Sequence, residues 1–183
     1  MKKIALTLCF LLIVTFGFSQ TLVSYNKTEG VDFSKYKTYK IDSLEIKKIP
    51  EFEPQKAGLN LLMLEIIKQM NARGYEKVSE NPDLLINIGL VLEEGVQTRE
   101  TSIRDAPYYI GQRNYHWESE EVVVGKYTEG TVTLDLIDSD KNAMIWQAVS
   151  SGVLSKKREK NKKRIVKGVN KLFKKFPVKK IED

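Results

Sequence analysis

Cysteine and histidine are almost missing from this sequence, which contains one of each, Cys9 and His116. A disulfide needs two cysteines, and the usual zinc sites need several Cys or His ligands. Cys9 also lies in an N-terminal apolar segment that we expect to be removed, so the remaining chain has no thiol. A metal site with two histidines and a catalytic Cys/His pair are therefore both excluded, and stability must come from packing.

Long apolar runs are also scarce, and the run at the N-terminus is short for a membrane span. Two lysines precede a largely apolar run at residues 4–16, and the small residues Gly17 and Ser19 follow it. A spanning helix needs about 20 apolar residues, whereas this layout is typical of a secretory signal peptide. We predict a signal peptide at residues 1–19 and an exported protein, periplasmic or envelope-associated in a Gram-negative bacterium. The mature chain is expected to have no transmembrane segment.

Charge is unevenly distributed along the chain. The formal net charge is +6, and removal of the predicted signal peptide lowers it to +4. Residues 155–183 contain 13 Lys and Arg but three acids, a local net charge of +10, so residues 20–154 carry about −6. The sequence therefore predicts a basic C-terminal element on a mildly acidic body. Because export separates the chain from nucleic acid, nucleic acid is not an expected partner.

Recognisable catalytic patterns are absent. A serine hydrolase would need His116 to be oriented by a carboxylate beside a serine, and no motif identifies such partners. Three clustered acids at residues 118–121 could suggest a glycosidase pair, but adjacent acids in a charged segment are typically solvated. The stretch "GKYTEGT" lacks the spacing of a phosphate-binding loop. We therefore predict that the protein is not an enzyme and has no cofactor.

Two segments have the apolar spacing of amphipathic helices. The first lies between Pro54, which suits a first turn, and Gly74, which suits a C-terminal cap. The second follows "SKKREKNKK" (residues 155–163), which we predict to be largely a mobile basic loop, because cations are unfavourable at a helix N-terminus. That helix is predicted to begin near Asn161 and to stop at Pro177. The apolar stripes are Leu59, Leu62, Met63, Ile66, Ile67 and Met70, and Ile165, Val166, Val169, Leu172, Phe173 and Phe176.

Other segments have the patterns of strands and loops. Residues 31–42 are rich in aromatics and predict a strand, followed by a polar linker at 43–54. Residues 84–92 alternate with a period of two and one fully apolar face, which predicts a sheet lying against helices. Residues 130–152 form two apolar runs around a polar turn, typical of a hairpin. Residues 95–121 show no clear period and are interpreted as a long irregular loop.

The order of these elements predicts an α+β fold, a two-layer sandwich in which a mostly antiparallel sheet carries two helices on one face. We predict one α+β domain at residues 31–177. An N-terminal linker at 20–30 and a C-terminal tail at 178–183 would flank it.

Several stretches together resemble a family of bacterial envelope proteins known as domain of unknown function 4136. These are "VDFSKYKTYKI", "GYEKVSENPDLLINIGL", "EGTVTLDLIDSDKNAMIWQAVSSG" and a helix that ends in "FP". The resemblance implies a secreted or lipid-anchored protein, but Cys9 is not at the expected cleavage point, so a lipoprotein-like chain without the lipid is favoured. It implies no activity, cofactor or catalytic residue. The matching positions are interpreted as turn and packing residues, namely Asp83, Gly130, Asp138 and Trp146.

The stretch "DSDKN" matches the first ligand positions of a calcium loop, with Asp138, Asp140 and Asn142. Such a loop also needs a glycine at its sixth position and a glutamate at its twelfth. Ala143 and Val149 occupy those positions. We therefore interpret "DSDKN" as a turn between strands and predict no metal site.

Two surfaces are candidates for interaction. Tyr, Trp and Arg are typical anchors of protein interfaces, and they are concentrated in the irregular segment, although its rings could instead cover the sheet. The basic segment before the second helix could contact anionic lipid headgroups or envelope polymers. The candidate residues are Tyr108, Tyr109, Arg113, Tyr115 and Trp117 in the first, and Lys156, Lys157, Arg158, Lys162 and Lys163 in the second.

The sequence thus favours an exported, noncatalytic envelope protein that acts as a binding or accessory module, with an unidentified envelope protein as partner. The alternative hypothesis is a direct binder of anionic lipid or glycan through the basic C-terminal segment. A hydrolase is a remote third alternative.

Overall fold

The computed structural model describes residues 22–48, 50, 56–105 and 118–181. Within these ranges the chain forms six strands and two α-helices, with short 3-10 turns at Phe33–Lys35 and Ile103–Asp105. The strands are β1 (Leu22–Lys27), β2 (Thr38–Lys47), β3 (Glu76–Lys77), β4 (Leu84–Glu100), β5 (Glu121–Asp138) and β6 (Ala143–Val153). The helices are α1 (Lys56–Asn71) and α2 (Arg158–Phe173).

The described strands form one mixed sheet in the order β1-β6-β5-β4-β2-β3. The first four strands of that order pair antiparallel, and β2 runs parallel to both β4 and β3. A parallel pair needs a longer crossover than a hairpin turn, and α1 supplies it between β2 and the strands that follow. The predicted α+β class, with a mostly antiparallel sheet and two helices, is confirmed.

The core lies between one face of the sheet and the two helices. The predicted apolar face of β4 is buried, since side chains at alternate positions from Leu84 to Leu92 are at most 9% exposed while those between them are half-buried. Leu134 and Leu136 continue this face on β5. The helices cover it with their apolar stripes, which contribute Leu62, Ile66, Met70, Val169, Leu172 and Phe173.

Trp146 lies on β6 at the centre of an aromatic cluster under the end of α2. It is 1% exposed, and its ring packs edge-on against Phe176 at a centroid distance of 5.1 Å. Its indole Nε1 donates a hydrogen bond to the Lys175 carbonyl oxygen at 3.3 Å. Phe176 also meets the rings of Phe33 and Tyr75, so the "FP" end of the chain closes the core.

α1 ends where the sequence predicted, at a glycine. Gly74 has a φ of 81°, a left-handed conformation that favours glycine. The Gly74 N–H donates to the Asn71 carbonyl, and the Tyr75 N–H donates to the Met70 carbonyl. These two hydrogen bonds define a Schellman motif, which satisfies carbonyl groups at the end of the helix. Tyr75 and Met70 are both buried, as is usual for the apolar pair that accompanies this motif.

Arg73, just before that glycine, joins α1 to the end of α2 and to the C-terminal tail. It is 9% exposed, and its guanidinium donates to the carbonyl oxygens of Gln69, Phe173 and Val178 at 2.7–2.9 Å. It also lies over the Phe173 ring at 5.0 Å. Burial lowers the pKa of Arg73, and its guanidinium is bonded to these three carbonyl oxygens and to the Gln69 side-chain oxygen rather than to a carboxylate of the described residues.

β4 and β5 continue beyond the helix-covered body as a two-stranded extension, residues 93–100 and 121–129, which we call the β4–β5 arm. A register shift lies opposite Gln97 and Thr98. Gly95 pairs with Tyr127, and a Cβ atom at Gly95 would lie 2.4 Å from Cζ of the Tyr127 ring. The ring therefore covers the glycine and fixes this part of the arm.

Three boundaries predicted from the sequence in the N-terminal part of the chain are wrong. The predicted linker at residues 20–30 contains the edge strand β1, which pairs with β6 along its whole length. β2 begins at Thr38 rather than at Val31, the start of the predicted strand, because a 3-10 turn capped by Asp32 precedes it. β2 then continues to Lys47, through the predicted polar linker, and pairs with β4 there.

The predicted irregular loop at 95–121 is strand at both of its ends, because β4 continues to Glu100 and β5 begins at Glu121. The predicted tail is attached, since the Ile181 N–H donates to the Ala72 carbonyl and Val178 packs against the core. None of the helices in the described part of the chain is long and apolar enough to cross a membrane.

Candidate functional site

The structure describes one of the two predicted interaction surfaces. Tyr108, Tyr109, Arg113, Tyr115 and Trp117 lie outside the described residues, as does His116. All five basic residues of the second set lie at the start of α2, which begins at Arg158 after an extended Lys157. Lys156, Lys157, Arg158, Lys162 and Lys163 are all exposed there.

The predicted mobile loop before α2 is wrong for most of its length, because the helix begins three residues before Asn161. The Asn161 side chain holds the preceding turn, with Oδ1 accepting from the Ser155 N–H at 2.7 Å and Nδ2 donating to the Ser155 carbonyl at 2.8 Å. Glu159 in the first turn pairs with Lys162 at 2.8 Å. An acidic side chain at the N-terminus interacts favourably with the helix dipole and offsets the charge of the neighbouring cations. The helix can therefore begin within the basic segment.

A cavity of about 300 Å³ lies beside this helix start. It is enclosed by the N-terminal half of α1, by α2 from Arg158 to Leu172, and by the helix-facing side of β4, β5 and β6. Its walls are mostly apolar, and Ala57 and Val153 are exposed where it opens to solvent. The apolar side chains that line its interior are Leu59, Leu62, Leu90, Leu92, Val132, Ile165, Val169 and Leu172.

The cavity exists because two paired glycines leave its floor without side chains. Gly130 on β5 pairs with Gly152 on β6, in the same row of the sheet as Leu92. A Cβ atom at Gly152 would meet nothing within 4 Å, and one at Gly130 would only touch Leu92 and Leu154 at 3.4–3.5 Å. Glycine costs stability in a strand, so its presence at both positions marks a space that side chains do not fill.

The rim of the cavity is basic. Its cations are Lys156, Arg158, Lys162 and Arg164, and none of the described lining residues is an acid. Lys162 is partly neutralised by Glu159, and Arg164 donates to the Val153 carbonyl. Lys156 and Arg158 make no ion pair with any residue in the described ranges, so their charge is available to a ligand. The N-terminus of α2 adds its positive dipole end.

The groups on the described lining of this cavity can hold a ligand through hydrogen bonds and positive charge. The polar groups on its described lining are hydroxyl, amide, ammonium and guanidinium groups, which donate hydrogen bonds and carry positive charge. Among the described residues there is also no cluster of three metal-ligating side chains. The arrangement suits a ligand with an apolar part and an anionic group at one end.

Two aspartates predicted to be turn residues hold the opposite end of the sheet together. The Asp83 carboxylate accepts from the N–H groups of Lys37 and Thr38 at 2.7 and 2.8 Å, which lowers the pKa of Asp83 and joins the starts of β2 and β4. Asp138, at the end of β5, accepts from the Tyr36 hydroxyl at 2.7 Å and from the Lys141 N–H at 3.0 Å. The Asp138 carboxylate is thus occupied by protein donors.

Sequence reasoning missed two features of the site. Arg164 was not among the predicted residues, although it lies on the same basic segment. Gly130 was interpreted as a turn or packing residue, but it lies within β5, and its partner Gly152 was not singled out. The cavity could have been suspected from glycines inside the strand patterns. Such glycines often mark a site where a ligand or another backbone approaches the strand closely.

The family of the chain is decided by a match over most of its length. The family model described as "Domain of unknown function (DUF4136)" matches residues 23–178. The chain belongs to the DUF4136 family. The resemblance inferred from the sequence is therefore confirmed, and both the cavity and the basic rim lie within the matched DUF4136 region. No curated protein shows significant similarity to the chain.

Several solved structures are similar to this DUF4136 chain. A PDZ domain protein from Parabacteroides distasonis is 16% identical with a TM-score of 0.50, covering 88% of this chain and 37% of that one. The chain thus spans well under half the length of that protein. The PelC dodecamer from Paraburkholderia phytofirmans is 11% identical with a TM-score of 0.46, and the match covers 84% of this chain and 94% of that one. A minor lipoprotein from Acinetobacter baumannii is 12% identical with a TM-score of 0.32, and the match covers 76% of this chain and 91% of that one. At 16% identity, the similarity to the PDZ domain protein concerns the fold alone.

Proposed function

We propose that this DUF4136 protein is an exported, noncatalytic binding module of the cell envelope, whose cavity holds the apolar part of an anionic amphiphile. The observation that carries the proposal is the combination of an apolar cavity of about 300 Å³ with a rim of four cations and no acid among its described lining residues. The charged N-terminal pattern of a signal peptide at residues 1–19 supports export.

The size and lining of the cavity favour a single aliphatic chain. Its volume is at the lower end of the range for small-molecule sites in proteins, about 300–1,000 Å³. Aliphatic walls from Leu62, Leu92 and Ile165 offer no ring to stack on and no buried charge to pair. Each methylene that leaves water contributes about 0.8 kcal/mol, so a chain of eight to twelve carbons would bind in the micromolar range after the cost of association.

The basic rim selects the other end of the ligand. Lys156 and Arg158 are exposed and lie next to the start of α2, where main-chain N–H groups also attract anions. A carboxylate, sulfate or phosphate attached to the chain would meet these groups as the chain enters the cavity. Three of the five predicted basic residues, Lys156, Arg158 and Lys162, line this cavity and would act with its apolar interior, whereas Lys157 and Lys163 lie outside it.

The test measures binding of octanoate, decanoate and dodecanoate, below their micelle concentrations, by isothermal titration calorimetry. Alcohols of the same lengths serve as uncharged comparisons. Affinity should rise about fourfold with each added methylene until the cavity is full. Replacing both Lys156 and Arg158 with Gln should weaken the binding of the acids several-fold and leave that of the alcohols unchanged.

A cavity-filling variant provides the decisive comparison. Gly152→Leu should place a side chain in the empty floor and weaken binding at least tenfold, while unfolding stability is kept or increased, because no atom lies within 4 Å of the added Cβ. Gly125→Leu is the matched control, since Gly125 lies on the β4–β5 arm where an added Cβ meets only Gln97 at 3.8 Å. Equal binding by the two folded variants would contradict the proposal.

A further inference from the structure

The outward side of α2 is a straight row of lysines that is separate from the cavity. Its residues recur at intervals of three and four, so they lie on one line along the helix, about 21 Å long. Four of them are exposed and Lys171 is half-buried. We call this row the lysine stripe; it consists of Lys160, Lys163, Lys167, Lys171 and Lys174.

The lysine stripe is not neutralised by the described part of the protein. None of its five ammonium groups forms a salt bridge with a described residue. The sequence of α2 contains a single acid, Glu159, whose carboxylate is bonded to Lys162. The positive charge is therefore concentrated along one line of the helix, where neighbouring lysines repel each other. An anionic partner would offset this repulsion.

The neighbouring helix α1 adds apolar side chains to the outer surface beside the lysine stripe. Leu64 on α1 points away from the sheet, because Leu62 and Ile66 on either side of it are buried, and it is 61% exposed. A shallow groove between the helices contains Leu61 and Val166 among lysines of α2. The outer surface of the helix layer is thus basic, with apolar side chains at its centre.

A flat partner fits this surface better than a narrow one. α1 and α2 pack side by side in one layer, so the outward residues of both can meet a plane at the same time. A single linear polyanion could follow the lysine stripe, but it would leave Leu64 in water. An anionic bilayer offers negative headgroups to the lysines and an apolar interior to the leucine.

We propose that the outer surface of the helix layer docks on an anionic lipid bilayer, with the lysine stripe against the headgroups and Leu64 at the lipid boundary. This proposal stands on observations other than those for the cavity. It is independent of the proposed function, because Arg158 at the cavity rim and Lys160 of the stripe are two positions apart and lie on opposite sides of α2.

The test measures co-flotation of the processed protein, purified after export, with vesicles of phosphatidylcholine alone or mixed with phosphatidylglycerol. Binding should require phosphatidylglycerol and should fall at high salt. Replacing Lys163, Lys167 and Lys171 together with Gln should weaken it at least tenfold, since each lysine near an anionic surface contributes on the order of fivefold. The matched control carries the same change at Lys27, Lys47 and Lys77, which are exposed on strands.

The outcomes separate this proposal from the one on the cavity. Gly152→Leu should still float with anionic vesicles, and the triple Lys163, Lys167 and Lys171 variant should still bind decanoate. Equal flotation of the triple stripe variant and its control would overturn the bilayer proposal. So would binding to soluble dextran sulfate without binding to vesicles, which would identify a linear polyanion as the partner.

Discussion

At the residue scale, the Asp138 carboxylate shows how hydrogen bonds stabilise the ionised form of a buried side chain. It is 3% exposed, and the hydrogen bond from the Tyr36 hydroxyl, reinforced by Lys141, lowers its pKa to about 2. Burial and the same carboxylate raise the pKa of Tyr36 to about 12. Because the folded-state pKa of Asp138 is below its unfolded value, its contribution to stability is present above about pH 4 and is lost as the pH falls towards 2.

Tyr36→Phe tests this contribution. At pH 7 the variant should lose about 1.5–3 kcal/mol of unfolding free energy, because an ionised buried acceptor loses its main donor. The difference from the natural protein should shrink as the pH falls from 4 to 2, and acid unfolding of the variant should begin at higher pH. Urea unfolding at pH 7, 4 and 2.5 measures both effects.

Tyr25→Phe is the control for that change, because Tyr25 is 54% exposed. It should behave like the natural protein at every pH. A stability loss in Tyr36→Phe that stays constant from pH 7 to pH 2.5 would mean that the hydroxyl acts through packing and not through the Asp138 charge.

The residues that sequence reasoning placed correctly are those with a local signal. Trp146 and the alternate residues of β4 are buried as predicted, because alternation along a strand records which face is covered. Arg73 carried no such signal, since its acceptors at Phe173 and Val178 are about one hundred residues away in the chain. The cavity was missed for the same reason. Gly130 and Gly152 are distant in the sequence, and they form the floor of the cavity together only when β5 pairs with β6.

At the element scale, the β4–β5 arm shows where periodicity fails as a guide. Both of its faces are open to solvent, with Val96 and Val123 exposed among charged and polar residues. No face has to be apolar, so the alternation that identifies β4 stops at Leu92 although the strand continues to Glu100. The arm is held instead by its ladder, by the Lys126–Glu94 ion pair at 2.7 Å and by Tyr127 over Gly95.

The Gly95–Tyr127 contact predicts a local effect. Gly95→Val should open the arm without unfolding the body, since the added Cβ would overlap the Tyr127 ring. We expect amide exchange in residues 93–100 and 121–129 to become at least tenfold faster, a loss of about 1.4 kcal/mol of local stability. Hydrogen exchange followed by mass spectrometry would resolve the arm from the core strands.

Two further variants decide whether the ring is the cause. Gly125→Val changes another arm glycine that has room for a Cβ, and it should leave exchange nearly unchanged. Combining Gly95→Val with Tyr127→Ala should restore part of the protection by removing the overlap. Equal opening in both single variants would show that the arm resists any side chain at its glycines, independently of Tyr127.

At the scale of the whole molecule, the two ends of the strands carry different features. The aspartates that hold β2, β4 and the β5–β6 turn lie at one end, and the cavity, the basic rim and the base of the arm lie at the other. The helix layer presents the lysine stripe on its outer side. The proposed ligand-binding cavity and the proposed membrane-docking surface can therefore coexist in one small domain, since each uses a part of the molecule that the stabilising contacts leave open.

The edge strand β1 gives the last prediction, because the sequence had placed it in a linker. β1 pairs with β6 from Leu22 to Lys27, Val23 packs against the core, and the Thr28 N–H donates to the Ile145 carbonyl. A chain that begins at Val31 should therefore lose at least about 2 kcal/mol of unfolding free energy relative to one that begins at Gln20. Urea unfolding of the two chains, followed by Trp146 fluorescence, measures the difference; equal midpoints would return residues 20–30 to the role of a linker.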